Sequence, residues 1–445
     1  MKRDPSPAAG SSEDPRARSL LEAIAGPTGL PIPDYGGRSI VNVASSLLRA
    51  CDVRAETGPP IAPCLPPELD PFGGGVHEGP IVAFLVDGLG WFDFLRWAQS
   101  RRLHRGERWL RASAPITTVF PTTTTAALVS LSTAVPPGRH GLLGYRQYLP
   151  RFGMVADMLK FSPTGVEERD LLVGPDWKPE HLSGAPTIYR RGVRSAALTR
   201  DRFQGTGFSR LLYDGARFVG YATATDLAHE LTMLLEREPP PLVTVYWDEL
   251  DTIQHLKGTD PLLVELELER TIQLIEHVAG RLPRGLASRT TLLLTGDHGQ
   301  VPADPTRRIE IDALPEITAE LARPLAGDRR AGFFSARPGR IEPLRAALSE
   351  QLPQGSRVMP MPEAVAAGLF GPAPFHPEIH ERLGDLLVLV PSPWSLSYRL
   401  PGMASPKRFL YGAHGGLDPR ELLVPLVAGP LSGFRDPDDG DASKR

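Results

Sequence analysis

Between residues 80 and 430 the apolar residues fall into short runs separated by longer amphipathic stretches. The run IVAFLV, residues 81–86, is continuously apolar and leads into Asp-Gly. Such a run suits a strand buried on both faces of a sheet. WFDFLRWAQ, residues 91–99, follows it with helical spacing. The unit recurs. A helical stretch at 225–238 precedes a strand within 242–250. Thr259 or Asp260 then opens a long helix over 261–282, with Leu262, Leu263, Leu266, Ile272, Ile275 and Val278 as its apolar positions. TTLLLTGDHG, residues 290–299, repeats the strand that ends on an acid. Buried strands are expected again at 384–391 and, as the last of the series, at 421–429. Strands alternating with helices predict an α/β fold, a central and mostly parallel sheet sandwiched by helices.

The length of 445 residues suits about three domains, or one large α/β domain with insertions. Residues 1–18 and 432–445 are polar, charged and rich in Pro, Gly and Ser, and are expected to be disordered, leaving 19–431 as the folded domain. Stretches 25–37 and 55–79 are also rich in Pro and Gly, with one short helix between them at 40–51. Residues 305–383 break the strand–helix rhythm and predict an inserted smaller subdomain. Lys plus Arg number 49 and Asp plus Glu 52, a net charge of −3. A near-neutral chain has no global field with which to coat nucleic acid. Cys51 and Cys64 cannot form a disulfide framework or a Cys-based zinc site. The N-terminus carries no apolar signal segment, and no run approaches the ~20 apolar residues of a membrane span. A soluble, cytoplasmic protein is expected.

Acid and imidazole groups gather at the ends of the apolar strands. Asp87 ends the first, Asp251 and His255 follow the strand near 242, and Asp297 and His298 follow the strand near 290. His414 sits in the Gly-flanked turn YGAHGG before the last strand. Ligands of open α/β sheets bind outside the carboxyl ends of the strands, so these six side chains are expected in one crevice. Three Asp and three His could build two mixed N/O sites, each with an open position. Two metals ~4 Å apart suit in-line phosphoryl displacement. The nucleophile is sought in PTTTTAALVSLSTA, residues 121–134, where one of four threonines would project from a first helical turn, at a helix end that favours phosphate. A hydroxyl beside a metal ion needs no neighbouring base.

This constellation resembles the alkaline phosphatase superfamily, and within it the type I phosphodiesterase and nucleotide pyrophosphatase branch. The resemblance rests on LVDGLG (85–90), FPTTTTAALVSLSTAVPPGRHGLLGY (120–145), DELDTIQHLKG (248–258), TGDHG (295–299) and GAHGG (412–416). It implies an alkaline phosphatase-like fold and two divalent metal ions, zinc or alternatively manganese. Asp87, Asp297 and His298 would hold one, and Asp251, His255 and His414 the other. It implies a nucleophile ten residues before a Gly that closes a Thr-Gly pair. Here the pair is Thr133-Ala134, which places the nucleophile, also a metal ligand, at Thr124, with Thr123 or Thr125 as alternatives. Substrates would be small phosphoesters or nucleotides.

The branch carries an Asn three residues after the nucleophile, and this chain has Ala127 there. Tyr145, Arg146 and Lys160 are alternative donors to a phosphate oxygen. A phosphomonoesterase, phosphomutase or phosphonate hydrolase of the same superfamily is an alternative, as is a binding or scaffold protein on the same fold.

Overall fold

Seven strands form the central sheet: β1 (Ile81–Val86), β2 (Ser113–Thr117), β3 (Ser195–Arg200), β4 (Arg217–Tyr221), β5 (Leu242–Trp247), β6 (Thr291–Gly296) and β7 (Leu423–Pro430). Their order is β2-β7-β6-β1-β5-β3-β4. The structure, a computed structural model, describes residues 14–52, 61–100, 105–403 and 408–436. β1 is flanked by β5 and β6, both parallel and in step, with Ile81 opposite Leu242 and Thr291. β7 runs antiparallel to both of its neighbours. The three acid-terminated strands are therefore adjacent, and their carboxyl ends share one edge.

The continuous apolar runs reflect burial on two faces. Val82, Phe84 and Val86 join one core with Trp91, Phe94 and Ile272, while Ile81 and Leu85 join another with Val43 and Leu128. Helices α2 (Trp91–Gln99), α4 (Ala224–Arg237) and α6 (Pro261–Arg281) cover the first face, and α1 (Ile40–Ala50) and α3 (Thr124–Thr133) the second. Asp260 caps α6, its Oδ1 accepting from the Leu262 amide at 2.9 Å. The buried stripe of α6 is Val264, Leu268, Ile272, Ile275 and Val278. Leu262 and Leu266, expected to face the core, are 53% and 55% exposed. They lie ~200° around the helix from Val264 and Leu268.

Strands β2, β3 and β4 carry no apolar run and were not predicted. β3 reads SAALTR and is buried along its length, its polar side chains absorbed by tertiary packing rather than announced by pattern. The apolar run near 386 lies outside the central sheet. Leu386–Leu389 pairs with Ala331–Phe334 and Arg357–Pro360 in a second, antiparallel sheet. That sheet also takes in Ala326–Gly327, Arg146–Leu149, Met154–Asp157 and Ser162–Pro163. It thus combines strands from 305–383 with strands on either side of that segment.

Disorder was expected at both ends. Residues 1–13 and 437–445 lie outside the described residues, but 14–18 and 432–434 are structured. Asp14 caps the helix Pro15–Ala23 and accepts from Trp91 Nε1 at 2.8 Å. Phe434 is buried against Trp109, with ring centroids 4.5 Å apart. Buried Ala17 and Phe434, with the contacts of Asp14 and Arg435, hold segments whose composition is otherwise polar.

Candidate active site

Each chemical group sits where a main element ends. Asp87 follows β1, and Gly88 after it adopts φ +77°. A Cβ there would lie 2.9 Å from Gln254 Oε1, so only glycine lets α5 (Glu249–Lys257) pack this closely. Asp251 lies in the first turn of α5 and His255 one turn later. Asp297 and His298 follow β6. Gly299, next in line, faces the Arg420 carbonyl so closely that a Cβ would be 2.0 Å away. His414 follows the short strand Gly412–Ala413, which pairs with Val301–Pro302 just beyond His298. Thr124 opens α3, with Thr123 as its N-cap residue.

All six candidate ligands and Thr124 meet in this crevice. One oxygen and nitrogen set within 4.8 Å comprises Asp87, Asp297 and His298, and a second comprises Asp251, His298 and His414. His255 Nε2 is 3.3 Å from Asp251 Oδ1, and its ring is 5.2 Å from that of His414. Each histidine turns Nδ1 toward a backbone carbonyl: His255 to Gly412 at 2.9 Å, His298 to Gly299 at 3.2 Å, His414 to Thr122 at 3.0 Å. A carbonyl only accepts, so Nδ1 donates in each ring and all three Nε2 atoms are left for the crevice.

The carboxylates show the same division. Asp87 Oδ2 accepts from the Tyr246 hydroxyl, and Asp297 Oδ1 accepts from the amides of Gly88 and His298 at 3.0 and 2.9 Å. Asp251 Oδ1 accepts from Gln300 Nε2. Asp87 Oδ1 and Asp297 Oδ2 are buried and have no hydrogen-bond partner among the described residues. His298 Nε2 stands 3.6 and 3.5 Å from these two oxygens. Acceptors thus face acceptors, which a cation between them would reconcile. Burial, then the charges of Asp297 and Asp251, pushes the Asp87 carboxyl well above the usual range. Burial raises Asp251 and Asp297 too, and lowers His298 and His414.

The four threonines separate by partner. Thr122 Oγ1 donates to the Gly416 carbonyl at 2.9 Å and Thr123 Oγ1 to Asp328 Oδ1 at 3.1 Å. Thr125 is buried, and its hydroxyl has no partner among the described residues. Thr124 Oγ1 is 3.2 Å from His298 Nε2, and it alone of the four meets the cluster. Ala134, which closes the helix where a Gly was expected, holds φ +56°. The left-handed turn survives the missing glycine at a cost of roughly 1 kcal/mol.

The crevice holds about 610 Å³. Tyr145 and Arg146 line it; Lys160 does not, and its Nζ lies 3.6 Å from Glu167 Oε2. Ala127 is buried in the core beneath α3. Asp328 and Arg329, from the segment 305–383, also line the crevice and were missed in the sequence. Asp328 accepts from Thr123 and from the Tyr145 amide at 3.2 Å, and burial raises its pKa to about 7. The only signal was a charged trio, Asp328-Arg329-Arg330, set against an apolar strand.

Residues 81–417 match the model of the type I phosphodiesterase / nucleotide pyrophosphatase family. The chain belongs to this family. It is accordingly a hydrolase of the phosphodiesterase and nucleotide pyrophosphatase type. No curated protein matches it in sequence. Among solved structures it is similar to murine ectonucleotide pyrophosphatase / phosphodiesterase 5, at 17% identity and a TM-score of 0.59, over 79% of this chain and 88% of that one. It is also similar to phosphonoacetate hydrolase from Sinorhizobium meliloti 1021 in complex with phosphonoacetate, at 18% identity and a TM-score of 0.58, over 80% and 94%. Both likenesses support the alkaline phosphatase-like fold of this phosphodiesterase family member.

Proposed function

We propose that this chain cleaves phosphodiester or diphosphate bonds with two divalent metal ions, zinc or alternatively manganese, and Thr124 as nucleophile. The observation that carries the reading is the Thr124 hydroxyl, 3.2 Å from His298 Nε2 and beside two unpartnered carboxylate oxygens. Three Nε2 lone pairs and buried, mutually repelling carboxylates form a donor set that fits zinc. Asp87, Asp297 and His298 would hold one ion, and Asp251, His255 and His414 the other. The ions would supply Lewis acidity, favouring the ionised hydroxyl and offsetting charge on the phosphoryl oxygens.

The chain's own groups would then act as follows. Thr124 Oγ attacks phosphorus in line, the bond to the leaving oxygen breaks, and a phospho-Thr124 ester forms. Water then cleaves that ester and frees the hydroxyl. With no side-chain donor at Ala127, the amides of the first turn of α3 join Tyr145 and Arg146 as donors open to a phosphoryl oxygen. An inactive Thr-to-Ala variant of the murine neighbour is known in complex with AMP, which supports a nucleotide-sized phosphate as ligand here.

The test compares bis(p-nitrophenyl) phosphate with p-nitrophenyl phosphate and measures metal content by mass spectrometry. The diester should be cleaved faster, by protein holding about two ions per chain. Faster cleavage of the monoester would favour a phosphomonoesterase, and full activity after exhaustive chelation would overturn the metal assignment.

A further inference from the structure

One wall of the crevice is cationic. Arg146, Arg308 and Arg329 all line it. Two of the three have nearby carboxylates: Arg146 Nε is 3.4 Å from Asp157 Oδ1, and Arg308 pairs with Glu310. Arg329 differs. Its Nη1 donates to the Leu410 carbonyl at 3.1 Å, and its guanidinium lies over Phe409, 5.4 Å from the ring centroid. Among the described residues no carboxylate lies within ion-pair distance of it. Asp328, its neighbour in sequence, turns its oxygens to Thr123 and Tyr145. The charges closest in effect are those of Arg308 and Arg146; with burial they lower the Arg329 pKa to about 10.

A half-buried guanidinium facing two further cations is unfavourable by itself, because desolvation and like-charge repulsion both oppose it. The carbonyl contact and the aromatic face hold it in place without neutralising it. Arg329 lines the same crevice as Thr124 and His414, so its guanidinium borders the proposed reaction centre. An anion arriving in the crevice would find a planar donor fork already fixed and partly desolvated.

We infer that Arg329, flanked by Arg146 and Arg308, binds a second anionic group of the substrate, distinct from the phosphoryl group that Thr124 attacks. The inference rests on the proposed function and narrows it. The substrate class is a phosphoester, diphosphate or phosphonate that carries a further phosphate or carboxylate. Simple diesters without one would be poor substrates.

The test uses the metal-loaded full chain, Arg329→Gln and Arg329→Lys, with three substrates: ATP, phosphonoacetate and bis(p-nitrophenyl) phosphate. The ratio of kcat/KM for an anionic substrate to that for bis(p-nitrophenyl) phosphate should fall about tenfold or more in Arg329→Gln, mainly through KM. Arg329→Lys should recover part of it. A fall confined to ATP identifies a phosphate as the bound group; one confined to phosphonoacetate identifies a carboxylate. An unchanged ratio overturns the inference. A readout without turnover is calorimetric binding of inorganic pyrophosphate to the chelated protein, expected to weaken about tenfold in Arg329→Gln; undiminished binding also overturns it. Should that variant fail to fold, Arg308→Gln is measured by the same criteria. Wild-type protein that cleaves none of the substrates would sink the proposed function itself. Cleavage of the plain diester, with no gain from a second anion, sinks only the anion site.

Discussion

Among the four adjacent threonines, hydroxyl partners separate the chemistry. Thr123 and Thr124 are neighbours in sequence, yet one hydroxyl meets Asp328 and the other meets His298. Successive side chains on a helical turn point ~100° apart, so their roles do not overlap. Thr124→Ala should remove nearly all turnover while metal content stays at the wild-type level, and Thr124→Ser should keep part of the activity because the oxygen survives. Thr123→Ala should retain most of it. An inactive Thr123→Ala beside an active Thr124→Ala, in steady-state assays, would show the register to be wrong.

At the scale of elements, helix α6 shows how a register is decided. Leu262 and Leu266 face outward while Ile272 is fully buried. Leu266→Lys should change stability by no more than about 0.5 kcal/mol, whereas Ile272→Ala should cost about 2–5 kcal/mol in denaturant unfolding. Comparable losses would contradict this orientation. A pH-dependent element is the short helix Pro137–His140, tied to α3 where His140 Nε2 meets Ser130 Oγ at 2.9 Å. His140 Nδ1 accepts from the Leu142 amide at 3.0 Å, so the ring is neutral, and burial lowers its pKa to about 3. In the unfolded chain it would titrate near 6.5. Between those values the unfolded state binds more protons, so stability is present above about pH 6.5 and is lost as pH falls toward 3. His140→Gln should reduce the loss of unfolding free energy between pH 7 and 5 by about 2 kcal/mol. An identical pH dependence in both proteins would refute it.

At the scale of the whole molecule, the two sheets close on one crevice and must be held there. The buried pair Arg330–Glu421, at 2.9 Å, joins the second sheet to the segment entering β7, and Glu421 Oε1 also accepts from the Gly416 amide at 3.0 Å, beside the His414 turn. Convergence of Asp87, Asp251 and Asp297 carries an electrostatic cost that bound cations would relieve. A chelator should therefore lower the melting temperature, with zinc restoring it. Asp297→Asn should raise the melting temperature of chelated protein, by removing one repelling charge, and lower that of zinc-loaded protein, by weakening a ligand. The same sign in both states, by calorimetry, would argue against metal at this position.

The sequence by itself determined the elements covered on both faces: β1, β5 and β6 are mostly apolar for that reason, and each leads to an acid. It also determined the set Asp87, Asp251, His255, Asp297, His298 and His414, because polar groups at the ends of buried strands have few structural reasons to be there. Strand β3 escaped notice because its small and polar residues carry no period, and β4, RFVGY, because its apolar run is only two residues long. The joining of the second sheet's two halves is decided by tertiary structure alone, since the pairing of Gly327 with Arg146 leaves no local trace and the run near 386 looks like any other buried strand. Asp328 and Arg329 belong to the same class. Their place beside Thr123 and in the crevice arises only when that sheet folds over it, and whether a guanidinium meets a carboxylate among the described residues is a property of the surroundings, which no stretch of sequence contains.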